Sequence, residues 1–225
     1  MTVPDDNPRE RLDRTLVRRG LFATRARARD AIMRGTVTVD GQTMTKPAHS
    51  CTGRTKIAVA DPASGYVSRA ALKLKAALDA FAIPVTDAVC LDIGASTGGF
   101  TQVLLEAGAA GVHAIDVGHG QMDPTLAADP RVRLTEGLNA RDLEIGHLDG
   151  DRPSIIVSDV SFISLTLALP AALDLAAPGA HLVALVKPQF EVGKDRVGSG
   201  GVVRDPELRA EAVYQPSSQR NAGTR

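Results

Sequence analysis

Residues 89 to 100 read Val-Cys-Leu-Asp-Ile-Gly-Ala-Ser-Thr-Gly-Gly-Phe. A short apolar run ends at an aspartate, passes through a turn carrying three glycines and enters the stretch Phe100 to Ala107, whose spacing is helical. A strand, a glycine turn and a helix in that order place the chain among α/β folds. Backbone can approach a ligand closely at such a turn, and the helix that follows offers unpaired N–H groups. The glycines do not fit the dinucleotide spacing G-x-G-x-x-G. An aspartate ahead of small residues suits a nucleoside-amino-acid cofactor such as S-adenosylmethionine, although an ordinary tight turn of an α/β sheet has the same composition.

Charge divides the chain. Residues 1–60 hold 12 Lys and Arg against 6 Asp and Glu, and the remainder 14 against 20, so a segment of +6 is joined to one of −6. A basic segment beside an acidic body suggests a module that holds a polyanion. Cys51 and Cys90 have no disulfide or metal spacing, and the five histidines are scattered, so no metal site is expected. The start, Met-Thr-Val-Pro-Asp-Asp-Asn-Pro, lacks a cationic region followed by an apolar one, and the apolar region Leu165 to Val186 is interrupted by Pro170, Asp174, Pro178, Gly179 and His181. Neither a secretory signal nor a membrane span is expected, and a cytoplasmic location follows.

The basic segment reads as two short helices within residues 9–33. Leu12, Leu16 and Val17 share a face of the first, Gly20 ends it, and Thr24 caps the second, whose inner face carries Ala28 and Ile32. Arg25, Arg27, Arg29 and Arg34 form the opposite face. Thr36 to Gln42 alternates into an Asp-Gly hairpin, and Lys56 to Val59 reads as a closing strand. Over residues 9–60 this pattern resembles the small S4-like RNA-binding domain. The resemblance implies that the four arginines meet RNA phosphates, against the alternative of a solvated basic helix face.

Residues 61–67 read as a linker. Ser68 is placed to cap a helix from Arg69 to Phe81 with Leu72, Ala76 and Phe81 facing inward. Strands are expected at Ala88 to Ile93, Gly111 to Asp116, Val132 to Thr135, Ile155 to Asp159 and His181 to Lys187, with helices at Phe100 to Ala107 and Leu165 to Leu175. Alternating strands and helices imply a mainly parallel, doubly wound sheet with ligands at its carboxyl edge. Asp92, Asp116, Asp159 and Lys187 end four otherwise apolar strands. Each forfeits solvation unless it meets a partner or a ligand, so they converge on one crevice.

Ser68-Arg69-Ala70-Ala71-Leu72-Lys73-Leu74, the Asp92 to Phe100 loop, Ile115-Asp116-Val117-Gly118, Ser158-Asp159-Val160-Ser161-Phe162-Ile163-Ser164, Val186-Lys187-Pro188-Gln189-Phe190-Glu191 and Gly200-Gly201-Val202-Val203-Arg204-Asp205-Pro206 resemble the TlyA family. The catalytic domain of that family is similar to the FtsJ-type ribose methyltransferases. The resemblance implies a Rossmann-like S-adenosylmethionine-dependent methyltransferase domain over residues 68–213. It implies methyl transfer to a ribose 2′-hydroxyl of cytidine in ribosomal RNA, free or within a ribosomal subunit. It places catalytic roles on Lys73, Asp159 and Lys187, and cofactor contacts on Asp92, Gly94, Ala95, Ser96, Thr97, Gly98, Gly99, Phe100, Asp116 and Asn139. Lys187 is the expected base or hydroxyl-orienting group and Lys73 the positioning group, although their roles can be exchanged on sequence alone.

The last stretch fits least. Residues 214–225 contain no Val, Ile, Leu or Phe, and an unstructured tail is expected there. A complete sheet of this type needs roughly 30–45 further residues. The chain therefore reads as a truncated member that lacks the family's fourth catalytic residue, a glutamate, with impaired turnover. The alternatives are a non-catalytic RNA-binding protein and, more remotely, the haemolysin whose name the family carries.

Overall fold

The structure, a computed structural model, describes residues 9–218. Two compact units divide between Gly65 and Tyr66.

The first unit runs β1 (Glu10–Arg11), α1 (Leu12–Arg18), α2 (Arg25–Met33), β2 (Val37–Val39), β3 (Gln42–Thr43), β4 (Ser50–Cys51) and β5 (Ile57–Val59). β2 lies between β3 and β5 in an antiparallel sheet, and β1 pairs with β4. Thr24 caps α2 by accepting a hydrogen bond from the Arg27 amide at 3.3 Å. Asp40 and Gly41 both have positive φ, 49° and 84°, which is the geometry of a two-residue hairpin turn whose twist suits the flanking strands. Leu12, Leu16, Ala28, Ile32, Val37 and Val39 form the core.

Two of the four arginines in the row are clasped by buried aspartates. Asp13 is fully buried, accepts from Arg11 at 3.0 and 3.1 Å and from Arg25 at 2.9 Å, and is held at a pKa of about 2 by these guanidinium groups. Arg34 forks onto the buried Asp61 at 3.1 and 2.7 Å and also reaches Asp30 at 3.1 Å. Asp61, expected in a linker, is thus part of the first unit. A segment this small buries little apolar area, and charge-assisted bonds between its elements supplement that core.

The second unit holds α3 (Ala70–Phe81), β6 (Val89–Ile93), α4 (Gly99–Glu106), β7 (Gly111–Asp116), α5 (Pro124–Ala127), β8 (Val132–Glu136), β9 (Ile155–Ser158), α6 (Leu165–Ala168), α7 (Pro170–Leu175), β10 (His181–Ala184), α8 (Pro188–Glu191) and α9 (Pro206–Ser218). Its five strands are parallel in the order β10-β9-β6-β7-β8. The pleat sends Cys90, Val112, Ile155 and Val157 against Leu74 of α3 and Leu104 of α4, and Leu91, Ile93, Ile115 and Ile156 against Leu165, Leu169 and Ala172. Chain order reverses between β6 and β9, so a crevice opens there at the carboxyl edge.

Five expectations need correction. α3 buries Ala71, Leu74 and Leu78, whereas Ala76 is exposed, Leu72 half-buried and Phe81 75% exposed; alanines and leucines surround this helix, and packing against α4 selects the stripe. Ser68 does not cap it. Arg69 holds that position and its side chain does not cap the helix, and a Cβ on Gly99 would lie 2.2 Å from the Ser68 hydroxyl, so that hydroxyl fills the space the glycine leaves. The helix expected from Leu165 to Leu175 is two, because Pro170 has no N–H for the ladder and begins the second. β10 ends at Ala184, since β9 stops at Ser158 and leaves an edge strand nothing beyond Leu185 to pair with. α9, started by Asp205 and Pro206, continues through Ser218 rather than stopping at Val213, because extending a helix fixes one residue per bond and needs no apolar contact. Residues 219–225 of the expected tail lie outside the described residues.

The Asp13 clasp predicts that Asp13→Asn lowers stability by about 2 kcal/mol at pH 7. Because the native value lies below the unfolded 3.8, the carboxylate stabilises the fold above about pH 4 and ceases to as pH falls toward 2. The difference between parent and variant in thermal unfolding therefore shrinks over that window; a constant difference would show that Asp13 acts through shape alone.

Candidate active site

Register builds the site. Ile93 of β6 lies beside Ile115 of β7 and Ser158 of β9, so the next residues, Gly94, Asp116 and Asp159, emerge together at the carboxyl edge. A cavity of about 850 Å³ opens over them, reached by Lys73, Ser96, Asp116, Asp159, Phe162 and Lys187. An apolar cavity of about 690 Å³ adjoins it, lined by Val117, Leu138, Asn139, Val160, Leu167 and Phe190 among others.

The glycine turn holds Asp116. Its Oδ2 accepts from the Ser96 amide at 2.8 Å and its Oδ1 from the Gly118 amide at 2.7 Å, while the Ser96 hydroxyl donates to Gln121 at 3.0 Å. A carboxylate has acceptor positions beyond two, so Asp116 keeps capacity for hydroxyl groups in the cavity. Gly98 serves packing: its φ is 91° and a Cβ would meet Leu126 at 2.6 Å. Gly94, Ala95, Ser96, Thr97, Gly99 and Phe100 line the larger cavity. Asn139 lines the apolar one, its Oδ1 accepting from the Arg141 amide at 3.1 Å.

Asp159 stands between two ammonium groups. Lys187 Nζ lies 2.6 Å from its Oδ1, and Lys73 Nζ lies 3.6 Å from its Oδ2. Lys187 also donates to the Ser161 hydroxyl at 2.8 Å and is 20% exposed, whereas Lys73 is 55% exposed. One lysine is therefore held at two points and the other is more exposed and held, among the described residues, by Asp159 alone. Such an arrangement can orient a hydroxyl and, when one of the two amines is neutral, accept its proton while the other, as a cation, meets a neighbouring anion.

Asp92, expected among the cofactor contacts, does not line either cavity. It is fully buried, accepts from Thr101 Oγ1 at 2.7 Å through Oδ2, and leaves Oδ1 without a partner. Burial pushes its pKa up to about 7, opposed by the Thr101 bonds and assisted by the charges of Asp116 and Asp159. Of the four arginines read from the sequence, Arg25 and Arg34 are clasped as described, Arg27 donates to the Ala63 carbonyl at 3.4 Å, and Arg29 is exposed without a hydrogen bond or ion pair among the described residues.

Sequence reasoning missed Phe162. Its ring is 91% exposed beside both cavities, its φ is 66°, and it lies 5.2 Å from the Phe190 ring. The available signal was a large aromatic between Ser161 and Ser164, where burial has no use for one. Among the described residues no group of three or more His, Cys, Asp and Glu is placed to hold a metal ion, and no helix is long and apolar enough to cross a membrane.

The raised value of Asp92 makes a stability prediction. An acid that holds its proton more tightly when folded costs stability as pH rises from about 4 to about 7. Asp92→Asn keeps an acceptor for Thr101 and removes that cost, so its thermal midpoint is expected to gain on the parent progressively between about pH 4 and pH 7 and to level off above. An offset that is flat with pH would mean that Asp92 is ionised in the fold at no penalty.

The chain resembles known proteins over most of its length. The model of the family described as FtsJ-like methyltransferase matches residues 66–219, and that of the S4 domain matches residues 10–54. The chain is 52% identical over 206 residues, 91% of its length, to the 16S/23S rRNA (cytidine-2′-O)-methyltransferase TlyA of Mycobacterium tuberculosis, of which it covers 76%. It is 43% identical to a protein named Hemolysin A from Brachyspira hyodysenteriae, over 93% of this chain and 87% of that one. A solved structure from Streptococcus thermophilus, described as a candidate hemolysin, matches 94% of this chain and 78% of its own with a TM-score of 0.71 at 40% identity.

Proposed function

The chain belongs to the TlyA family, which joins an S4 domain to an FtsJ-like domain of the S-adenosylmethionine-dependent kind, and on that premise we propose that it methylates a ribose 2′-hydroxyl of cytidine in ribosomal RNA. The observation that carries this reading is Asp159 between Lys187 and Lys73, one crevice away from the Asp116 carboxylate held by the glycine turn.

Bound S-adenosylmethionine supplies an electrophilic methyl group on a sulfonium. Asp116 would accept the nucleoside hydroxyls, with the adenine side in the apolar cavity by Val117 and Asn139 and the amino-acid side along Gly94 to Gly99. Lys187, held by Asp159 and Ser161, orients the hydroxyl of the substrate ribose and, in its neutral amine form, receives that hydroxyl's proton, while Lys73 steadies the substrate. Most of the gain is alignment, for which effective molarities correspond to roughly 7–11 kcal/mol of barrier, with proton acceptance adding about 10²- to 10⁴-fold. The exposed face of Phe162 suits an unstacked base at the mouth of the crevice. The first unit supplies RNA attachment, with Arg29 the member of its arginine row that has no competing bond. The family's further catalytic carboxylate is not assigned to any described residue, and the location consistent with this substrate is the cytoplasm.

Two measurements test the reading. Asp116→Ala is expected to abolish calorimetric binding of S-adenosylmethionine. Lys187→Ala should keep that binding within a few-fold and lose at least 100-fold of methyl transfer to ribosomal RNA. Methylation that persists in Lys187→Ala, or that falls on a base rather than a ribose, would overturn it, and unchanged cellular behaviour of both Lys187→Ala and Lys73→Ala would favour RNA binding without catalysis. Separately, Arg29→Ala is expected to weaken RNA binding and reduce its salt slope by about one without altering the unfolding midpoint. Arg34→Ala, which breaks the Asp61 fork, should lower that midpoint.

A further inference from the structure

We propose that Glu191 is a positioning residue: it holds the turn from Ser161 to Ser164 so that the ring of Phe162 stands over the crevice. The inference uses the proposed reaction only for its kinetic readout.

Phe162 sits where a bulky residue is disfavoured. A non-glycine residue at φ 66° is held in a strained, left-handed backbone conformation. With 91% of the ring exposed, burial offsets little of that strain. Such a conformation persists only where the flanking chain is tied down, and here it is tied on both sides. On the N-terminal side the Ser161 hydroxyl accepts from Lys187 at 2.8 Å. On the C-terminal side Glu191 takes both available donors: Oε2 accepts from the Ser164 hydroxyl at 2.6 Å, and Oε1 accepts from the Leu165 amide at 3.0 Å. The Phe190 ring, one residue before, meets Phe162 itself.

One stretch, residues 187–191, thus grips the segment from Asp159 to Leu165 at successive points. The Lys187 end carries chemistry already assigned. The Glu191 end does not: its two oxygens are occupied by the segment it holds, and it lines neither cavity. Glu191 therefore acts through Ser164 and Leu165. Two bonds to a carboxylate are stronger than neutral ones, which suits a clamp that must hold an unfavourable backbone conformation.

The chain contains no tryptophan, so Phe162→Trp provides a single indole at the position in question. In that background Glu191→Ala is expected to lower the fluorescence anisotropy of the indole and raise its quenching by acrylamide. Glu191→Gln, which keeps a carbonyl acceptor for the Leu165 amide, should fall between. In the parent background Glu191→Ala should reduce kcat/KM for RNA about tenfold and leave S-adenosylmethionine affinity within twofold, and adding it to Phe162→Ala should cost little more than Phe162→Ala alone. An indole signal that neither Glu191 variant changes, or kinetic losses that simply add, would overturn the proposal. If the parent chain transfers no methyl group, the proposed reaction fails and the fluorescence arm alone still decides the role of Glu191.

Discussion

A single carboxylate facing two ammonium groups organises the catalytic unit. Parallel strands buried on both faces leave nowhere inside the sheet for charge, so polar groups gather where the strands end. Strands β6, β7 and β9 end level with one another, which brings Gly94, Asp116 and Asp159 out side by side at strand spacings of about 4.8 Å. Lys187 arrives from the connection between edge strand β10 and α8, and Lys73 from α3, and Asp159 gives both a common point of attachment. Without it, two cations would converge on the same small volume with nothing to offset their repulsion.

The same physics works differently in the first unit. Counting charges gives a strongly basic module, yet Arg11, Arg18, Arg25 and Arg34 are taken up by Asp13, Glu10, Asp30 and Asp61. An arginine that closes a short helix onto a short loop is already geometrically committed, and releasing it to a phosphate would forfeit bonds that the small core cannot replace. The cations available to a polyanion are therefore fewer than composition suggests, and Arg29 is the clearest of them. Solvent-facing cations and a set of internal clasps are drawn from the same residue type, and only the acidic partners distinguish them.

Much of the architecture was legible because its signals are local. The Asp-Gly hairpin, the Thr24 cap, the glycine turn and the order of strands each follow from a few adjacent residues. What was not legible depended on neighbours distant in sequence. α3 has apolar residues around its whole circumference, and the stripe it buries is decided by α4. Ser68 faces a glycine 31 positions away rather than its own helix. The partners of Arg25 and Arg34 lie 12 and 27 residues from them. Phe162 belonged to a motif that could be quoted, but its exposure and its left-handed backbone come from contacts with residues 187–191, which periodicity does not encode.

Asp92 shows how narrow the margin is between a site residue and a buried one. The rule that charged residues ending apolar strands meet at a crevice holds for Asp116 and Asp159, which are the last residue of β7 and the first after β9. Asp92 is one residue short of the end of β6, where Ala114 and Val157 flank it in the sheet. One residue in a pleated strand exchanges one face for the other, so Asp92 is carried under α4 while its neighbours Leu91 and Ile93 face the opposite layer. There the Thr101 hydroxyl satisfies one oxygen and the other is left without a partner. A carboxyl in that position is stabilised by keeping its proton, because the alternative is a third negative charge within reach of Asp116 and Asp159 in a region with little water. Its contribution to the crevice is consequently made through the start of α4 and the glycine turn that α4 anchors, and it requires no contact with a ligand.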